Sequence, residues 1–243
     1  MEPSFVVIAL VGLIIGLVKG GIGGPIAGAF ILPMLSQTMS VPQAVGITLP
    51  LLMVGDAFAM RFYWREWDMA LLKLMLPPAI VGIVMGTLLL VALPDQLLRY
   101  LLGVFTLGVI AYKLLSDSLR QVQYTPRRWH GYFAGWSSGF TSALANLGGP
   151  PVTAYLLLQK LQPVAFVGTL TLFFTIVNLL KLPGFLAADL IDIPQLVRIL
   201  WVVPMIPFGV WVGRSIIDRF PRVLFERFMI VLLFIAALML FFG

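Results

Sequence analysis

The chain has 243 residues, 60% hydrophobic and 11% charged, against about 45–50% and about 25% in soluble domains. One soluble core would be filled by far less apolar surface, so the excess faces something other than water, which excludes a soluble globular domain and a disordered chain. The formal charge of +6 would suggest nucleic acid in a soluble protein, but here Lys and Arg sit in short breaks between apolar runs, as in the loops of membrane proteins.

Ten apolar segments follow in chain order. In the first half they lie near 4–19, 25–36, 42–62, 69–93 and 97–115. In the second they lie near 131–145, 150–160, 163–187, 195–214 and 223–242. The start, Met1-Glu2-Pro3-Ser4, lacks the basic region of a signal peptide. The most polar interruption, 116–130, is expected to be a cytoplasmic linker between a first repeat, 1–115, and a second, 131–243. It holds the only histidine, His130, beside Arg127 and Arg128, better read as interfacial than as a ligand. The chain has no cysteine, so thiolate metal sites and iron–sulfur clusters are excluded, and no cofactor is expected.

The halves echo each other. Gly23-Gly24-Pro25 returns as Gly148-Gly149-Pro150, offset by 125. Pro42 and Ala44 return as Pro163 and Ala165, offset by 121. Pro77, Gly82, Gly86 and Pro94 return as Pro204, Gly209, Gly213 and Pro221, offset by 127. Internal duplication in a membrane protein favours a transporter. Five segments per half make the repeat inverted, and the charges agree. With the linker inside, twelve of the 16 Lys and Arg fall at cytoplasmic breaks. Arg99, Lys181 and Arg198 fall on the outer side, where both termini lie, and Lys19 falls at neither surface.

The first two segments of each half are short for a hydrocarbon layer of about 30 Å. They read as a re-entrant or broken hairpin; two tilted full spans are the alternative, and both give the same parity. Such backbone needs protein or a water-filled cavity around it. The expected fold is an all-α polytopic membrane protein of two inverted repeats, each a broken or re-entrant hairpin plus three transmembrane helices.

The first hairpin tip reads Lys19-Gly20-Gly21-Ile22-Gly23-Gly24-Pro25 and the second Ala145-Asn146-Leu147-Gly148-Gly149-Pro150-Pro151. Proline suits the first turn of a helix, whose free N–H groups attract anions. Two such ends near the midplane would make an anion site; the plainer reading is tight helix packing. That reading suits Gly12, Gly16, Gly20, Gly24 and Gly28 and also Gly131, Gly135 and Gly139, both runs spaced by four. Lys19 would supply charge to an anion or snorkel to the surface. In the second half Asn146, Thr141, Ser142, Ser137 and Ser138 would supply neutral donors instead.

Asp56 either carries a coupling proton or pairs with Lys19 or Arg61; its counterpart is Asn178 at an offset of 122, or Val177 at 121. Thr48, Thr169, Thr171 and Asn178 could add contacts, although membrane threonines most often bond their own backbone. The sequence holds no HExxH, GxSxG or P-loop, so enzyme chemistry is not expected. Arg61-Phe62-Tyr63-Trp64-Arg65-Glu66-Trp67 reads as an interfacial aromatic belt.

On the duplicated glycine turns, Gly20 to Pro25 and Gly148 to Pro151, and on the segments Pro42 to Thr48 and Pro163 to Thr169, the chain resembles the sulfite exporter TauE/SafE (TSUP) family over essentially its whole length. Pro25 and Pro150 stand where that pattern commonly has a third glycine. The resemblance implies an inner-membrane transporter for sulfite, sulfoacetate or related anions. The expected substrate site comprises Lys19, Gly20, Gly21, Gly23, Gly24, Pro25, Asn146, Gly148, Gly149, Pro150, Thr48, Thr169 and Asn178, with Asp56 as proton carrier. Expected partners are the anion, the bilayer and protons; nucleic acid is not, and an oligomer is compatible. The alternatives are a passive anion or solute channel, and a membrane enzyme or assembly subunit.

Overall fold

The computed structural model describes residues 5–20, 24–118, 127–159, 161–216 and, near the end of the chain, 230–231, 234–235 and 237–238. Among them every regular element is a helix: α1 (Phe5–Lys19), α2 (Gly24–Leu35), α3 (Val41–Phe62), α4 (Met69–Ala92) and α5 (Asp95–Ser118), then α6 (Arg128–Ala145), α7 (Gly149–Leu157), α8 (Pro163–Ala187), α9 (Ile193–Arg198) and α10 (Met205–Ile216). Three helices, Val41–Phe62, Met69–Ala92 and Val164–Ala187, are long and apolar enough to cross a bilayer.

The apolar character extends to the outside. On α4, Met75, Ala79, Gly82, Ile83 and Gly86 are buried, while Val81, Val84, Met85 and Leu88 are exposed. A helix hydrophobic on all sides belongs in lipid.

Three boundaries differ from the sequence reading. Residues 116–118 end α5 and 128–130 begin α6, so the predicted linker is partly helical, and 119–126 lie outside the described residues. That start gives α6 18 residues, about 27 Å, so it is not short for a span. The segment near 195–214 is not one helix: α9, a 3-10 turn at Leu200–Val202 and α10 divide it, with Pro204 at the last break. Pro77 and Pro78, by contrast, sit inside a continuous α4. The predicted segment 223–242 lies largely outside the described residues.

Small residues let the helices meet backbone to backbone. At the α4–α6 contact a Cβ on Gly82 would overlap the Trp136 carbonyl, and one on Gly135 or Gly139 would overlap the carbonyl of Met75 or Ala79. At the α1–α10 contact a Cβ on Gly16 would overlap the Ile206 carbonyl, while Gly209 lies against Leu13 and Gly16. These glycines serve packing.

Several helix contacts come in pairs. α4 packs on α6 as α10 packs on α1, α3 packs on α8, and α1–α2 and α6–α7 form two hairpins. Loop geometry agrees. A Cβ on Gly46 would strike the Leu190 carbonyl, and one on Gly168 would strike the Glu66 carbonyl. Arg65 and Asp189 both have positive φ, at 66° and 52°, and Asp68 and Asp192 cap the helices that follow. Each pair is separated by 122 or 124 residues.

One clamp closes the α2–α3 connection. Arg99 on α5 donates from Nη1 to the Ser36 carbonyl (2.6 Å) and from Nη2 to Met39 (3.2 Å), with Nε on Asp95 at 2.8 Å. Asp95 also accepts from the Val41 amide at 2.7 Å. Arg99→Ala is expected to lower stability by about 1–3 kcal/mol, since charged hydrogen bonds are the stronger kind. Arg99→Lys recovers only part, because one ammonium cannot reproduce the fork. Thermal unfolding in detergent measures both.

Candidate functional site

α1 ends at Lys19, whose ammonium crosses to α3 and forms an ion pair with Asp56 Oδ1. Gly55 makes this reach feasible: a Cβ there would crowd Lys19 Cγ at 3.1 Å and Ile15 at 3.2 Å. The ammonium also lies 5.9 Å from the Phe174 ring centre, within cation–π range. Asp56 is 1% exposed, and its Oδ2 accepts from Asn178 Nδ2 of α8 at 2.7 Å. Of the partners foreseen for Asp56, the structure selects Lys19; Arg61 is exposed. Asn178, the residue at an offset of 122 from Asp56, is thus the one that touches it.

One turn beyond Asn178 on α8 stands Lys181, fully buried at 0% exposure. This corrects the sequence reading, which counted it among outer-surface charges. Its ammonium donates to Asn146 Oδ1 at 2.7 Å, Ser142 Oγ at 3.1 Å and the Ser142 carbonyl at 3.2 Å, and lies 5.7 Å from the Phe185 ring centre. Every one of these acceptors is neutral. Among the described residues no carboxylate lies within ion-pair distance of Lys181. Lys19, Asp56 and Lys181 together therefore set two amine side chains against one carboxylate in the interior, where a charged Lys181 is costly unless an anion arrives.

Asn146 occupies the turn between α6 and α7 with φ 50°, a conformation asparagine tolerates. Its amide N–H bonds the Ser142 carbonyl at 2.9 Å and that of Leu147 bonds Thr141 at 3.1 Å, closing the helix end. Asn146 Nδ2 donates to the Val45 carbonyl of α3 at 3.3 Å. The nearby hydroxyls are engaged within the hairpin. Ser137 bonds Phe133 (2.6 Å), Thr141 bonds Ser137 (2.8 Å), and Ser138 bonds the Gly148 carbonyl (2.6 Å).

Lys19 and Asn146 line one cavity of about 40 Å³, with Ile15 and Val18 of α1, Ile31 and Leu32 of α2, and Thr48 and Leu52 of α3. That is room for about three waters at ~10–15 Å³ each. Thr48 lines it although its hydroxyl bonds the Ala44 carbonyl at 2.6 Å. Thr169 stands apart, nine residues before Asn178 on α8, about 13 Å along the axis. Its hydroxyl bonds the Ala165 carbonyl (2.7 Å) and accepts from the Asp68 amide (2.9 Å). Gly20 continues α1, with its amide on the Gly16 carbonyl at 2.8 Å. Gly24 and Pro25 open α2, and Gly21 and Gly23 lie outside the described residues. Gly148 packs on Ser138 and Ser142, while Gly149 and Pro150 open α7.

The profile of the family described as sulfite exporter TauE/SafE matches residues 8–240. The chain belongs to the sulfite exporter TauE/SafE family. TauE/SafE proteins are membrane transporters and not enzymes, and membership implies export of sulfite or related organosulfur anions. The match spans both glycine turns and nearly every helix, so this TauE/SafE chain is a multi-pass membrane protein. No match was found among curated proteins or solved structures.

Sequence reasoning missed Lys181 at the centre of this TauE/SafE chain. A signal was present: Leu179-Leu180-Lys181-Leu182 is a lone charge in an apolar run, three residues after Asn178. At that spacing both side chains share a helix face.

Proposed function

We propose that this protein exports sulfite or a similarly small sulfur oxyanion by alternating access, with the anion held in the cavity between Lys19 and the Asn146 turn. The observation that carries this reading is the imbalance of buried groups: two lysine amines, one carboxylate and otherwise neutral partners. The cavity's size favours sulfite over sulfoacetate, whose carbon chain and second acidic group need more room.

Two inverted repeats, 1–115 and 131–243, would supply the two moving bodies. The paired helix contacts and matching loop geometries at offsets of 122–124 support this. So does the Asp56–Asn178 hydrogen bond, because repeat mates touch only where a two-fold axis passes. α2 and α7, with 12 and 9 residues, are about 18 Å and 14 Å long, which favours re-entrant hairpins. With Lys181 removed from the surface count, the charge bias still supports a cytoplasmic linker and both termini outside an inner membrane. Asp56 is the proton carrier: a proton there releases Lys19 to the anion, so acid on the loading side accelerates flux.

Proteoliposomes test this reading. Sulfite flux is expected to saturate, to respond to a pH gradient, and to fall at least about tenfold at low substrate in Lys19→Ala, equivalent to about 1.4 kcal/mol. Asp56→Asn is expected to abolish the response to the gradient. Normal flux in Lys19→Ala removes that residue from the site, and linear, strictly downhill flux replaces the carrier with a channel.

A further inference from the structure

Resting on the anion-carrier reading, we infer that Lys181 is a second anion-binding cation and that the Asn146 side chain is its placeholder, occupying with Oδ1 the position an anion oxygen takes when the site is filled. Lys181 has no packing reason to be charged. It is fully buried in an apolar stretch of α8, where Leu or Met would fill the same space without desolvation. Its three acceptors are two oxygens of Ser142 and the Asn146 amide oxygen, and none bears charge.

Among the described residues Asn146 alone belongs to both places: it touches Lys181 at 2.7 Å and also lines the cavity with Lys19. Its second tie, Nδ2 to the Val45 carbonyl, is the longer at 3.3 Å. Swinging that side chain aside would open the cavity to the Lys181 ammonium. An anion there would meet a cation at each end, Lys19 and Lys181. Such a site selects an ion whose charge is spread over several oxygens, which can be held from two sides, above a single-atom halide.

The test separates binding from structure through opposite signs. Asn146→Asp puts a carboxylate against Lys181. A purely structural contact would be strengthened by it, whereas an anion site would be filled by a permanent competitor. Purified full-length protein is titrated with sulfite, and with chloride for comparison, reading the ligand-dependent rise in unfolding temperature and the dissociation constant. Wild-type protein is expected to bind sulfite in preference to chloride. Asn146→Asp is expected to unfold near the wild-type temperature without ligand, the ion pair with Lys181 offsetting the lost Nδ2 bond to the Val45 carbonyl, and to bind sulfite at least about tenfold more weakly. Lys181→Met is expected to lose sulfite binding, and Lys181→Arg to restore part of it.

If wild type binds sulfite and Lys19→Ala weakens it, while Asn146→Asp and Lys181→Met bind normally, the second cation is overturned and the carrier reading stands. Wild-type protein that binds no sulfur oxyanion overturns both. An Asn146→Asp protein that loses stability together with binding also overturns the placeholder role.

Discussion

Asp56→Ala is expected to lower stability by about 3–5 kcal/mol, the loss typical when one partner of a buried ion pair is removed. Asp56 is 1% exposed and bonds Lys19 and Asn178 with separate oxygens. Alanine leaves the Lys19 ammonium beside Phe174 with no counter-charge, and leaves the Asn178 amide without its acceptor. The paired variant Lys19→Met/Asp56→Leu is expected to recover most of the loss, because neither charge must then be desolvated. A residue of about 1 kcal/mol should persist from the Asn178 amide. Unfolding in detergent followed by tryptophan fluorescence measures each step. A single Asp56→Ala variant as stable as wild type would show that the pair is solvated.

Gly135→Val is expected to prevent correct packing of α4 on α6. Even a methyl group at Gly135 would overlap the Met75 carbonyl, and Met75 Cα and C lie 2.9 Å from its place. Overpacking a flexible core costs about 1–3 kcal/mol, but here the obstacle is helix backbone, which cannot rotate away. The effect is expected at or above the top of that range, visible as loss of a monodisperse peak in size-exclusion chromatography. Gly108→Ala is the matched control. It stands on α5 with open space around its missing Cβ, so the change is neutral or slightly stabilising through helix propensity, by up to about 1 kcal/mol.

The features that depend on composition and local spacing were legible in the sequence. Apolar runs located α3, α4 and α8 closely, since a helix in lipid satisfies its own backbone wherever the run is long enough. The glycines spaced by four marked the close contacts of α1 and α6. Lys19 and Asp56 stood out as charges in apolar runs, but their pairing is a meeting of residues 37 apart that no local pattern fixes. Lys181 was hidden because the charge count assigned it to the outer edge, α8 continuing only six residues beyond it. The division of 195–214 was hidden for another reason. Proline removes one hydrogen bond wherever it stands, yet Pro77 and Pro78 are absorbed within α4 whereas Pro204 marks a break. Neighbouring helices decide that outcome, and the sequence window does not contain them.

The hydrogen bond between Asp56 and Asn178 requires unlike side chains at the two positions. Had both positions kept aspartate, two carboxylates would face each other at 2.7 Å and one would have to take up a proton. Two asparagines would leave Lys19 with no anion. The contact therefore requires unlike partners, one carboxylate and one amide, and exchanging the two would leave Lys19 facing an amide in place of its counter-charge.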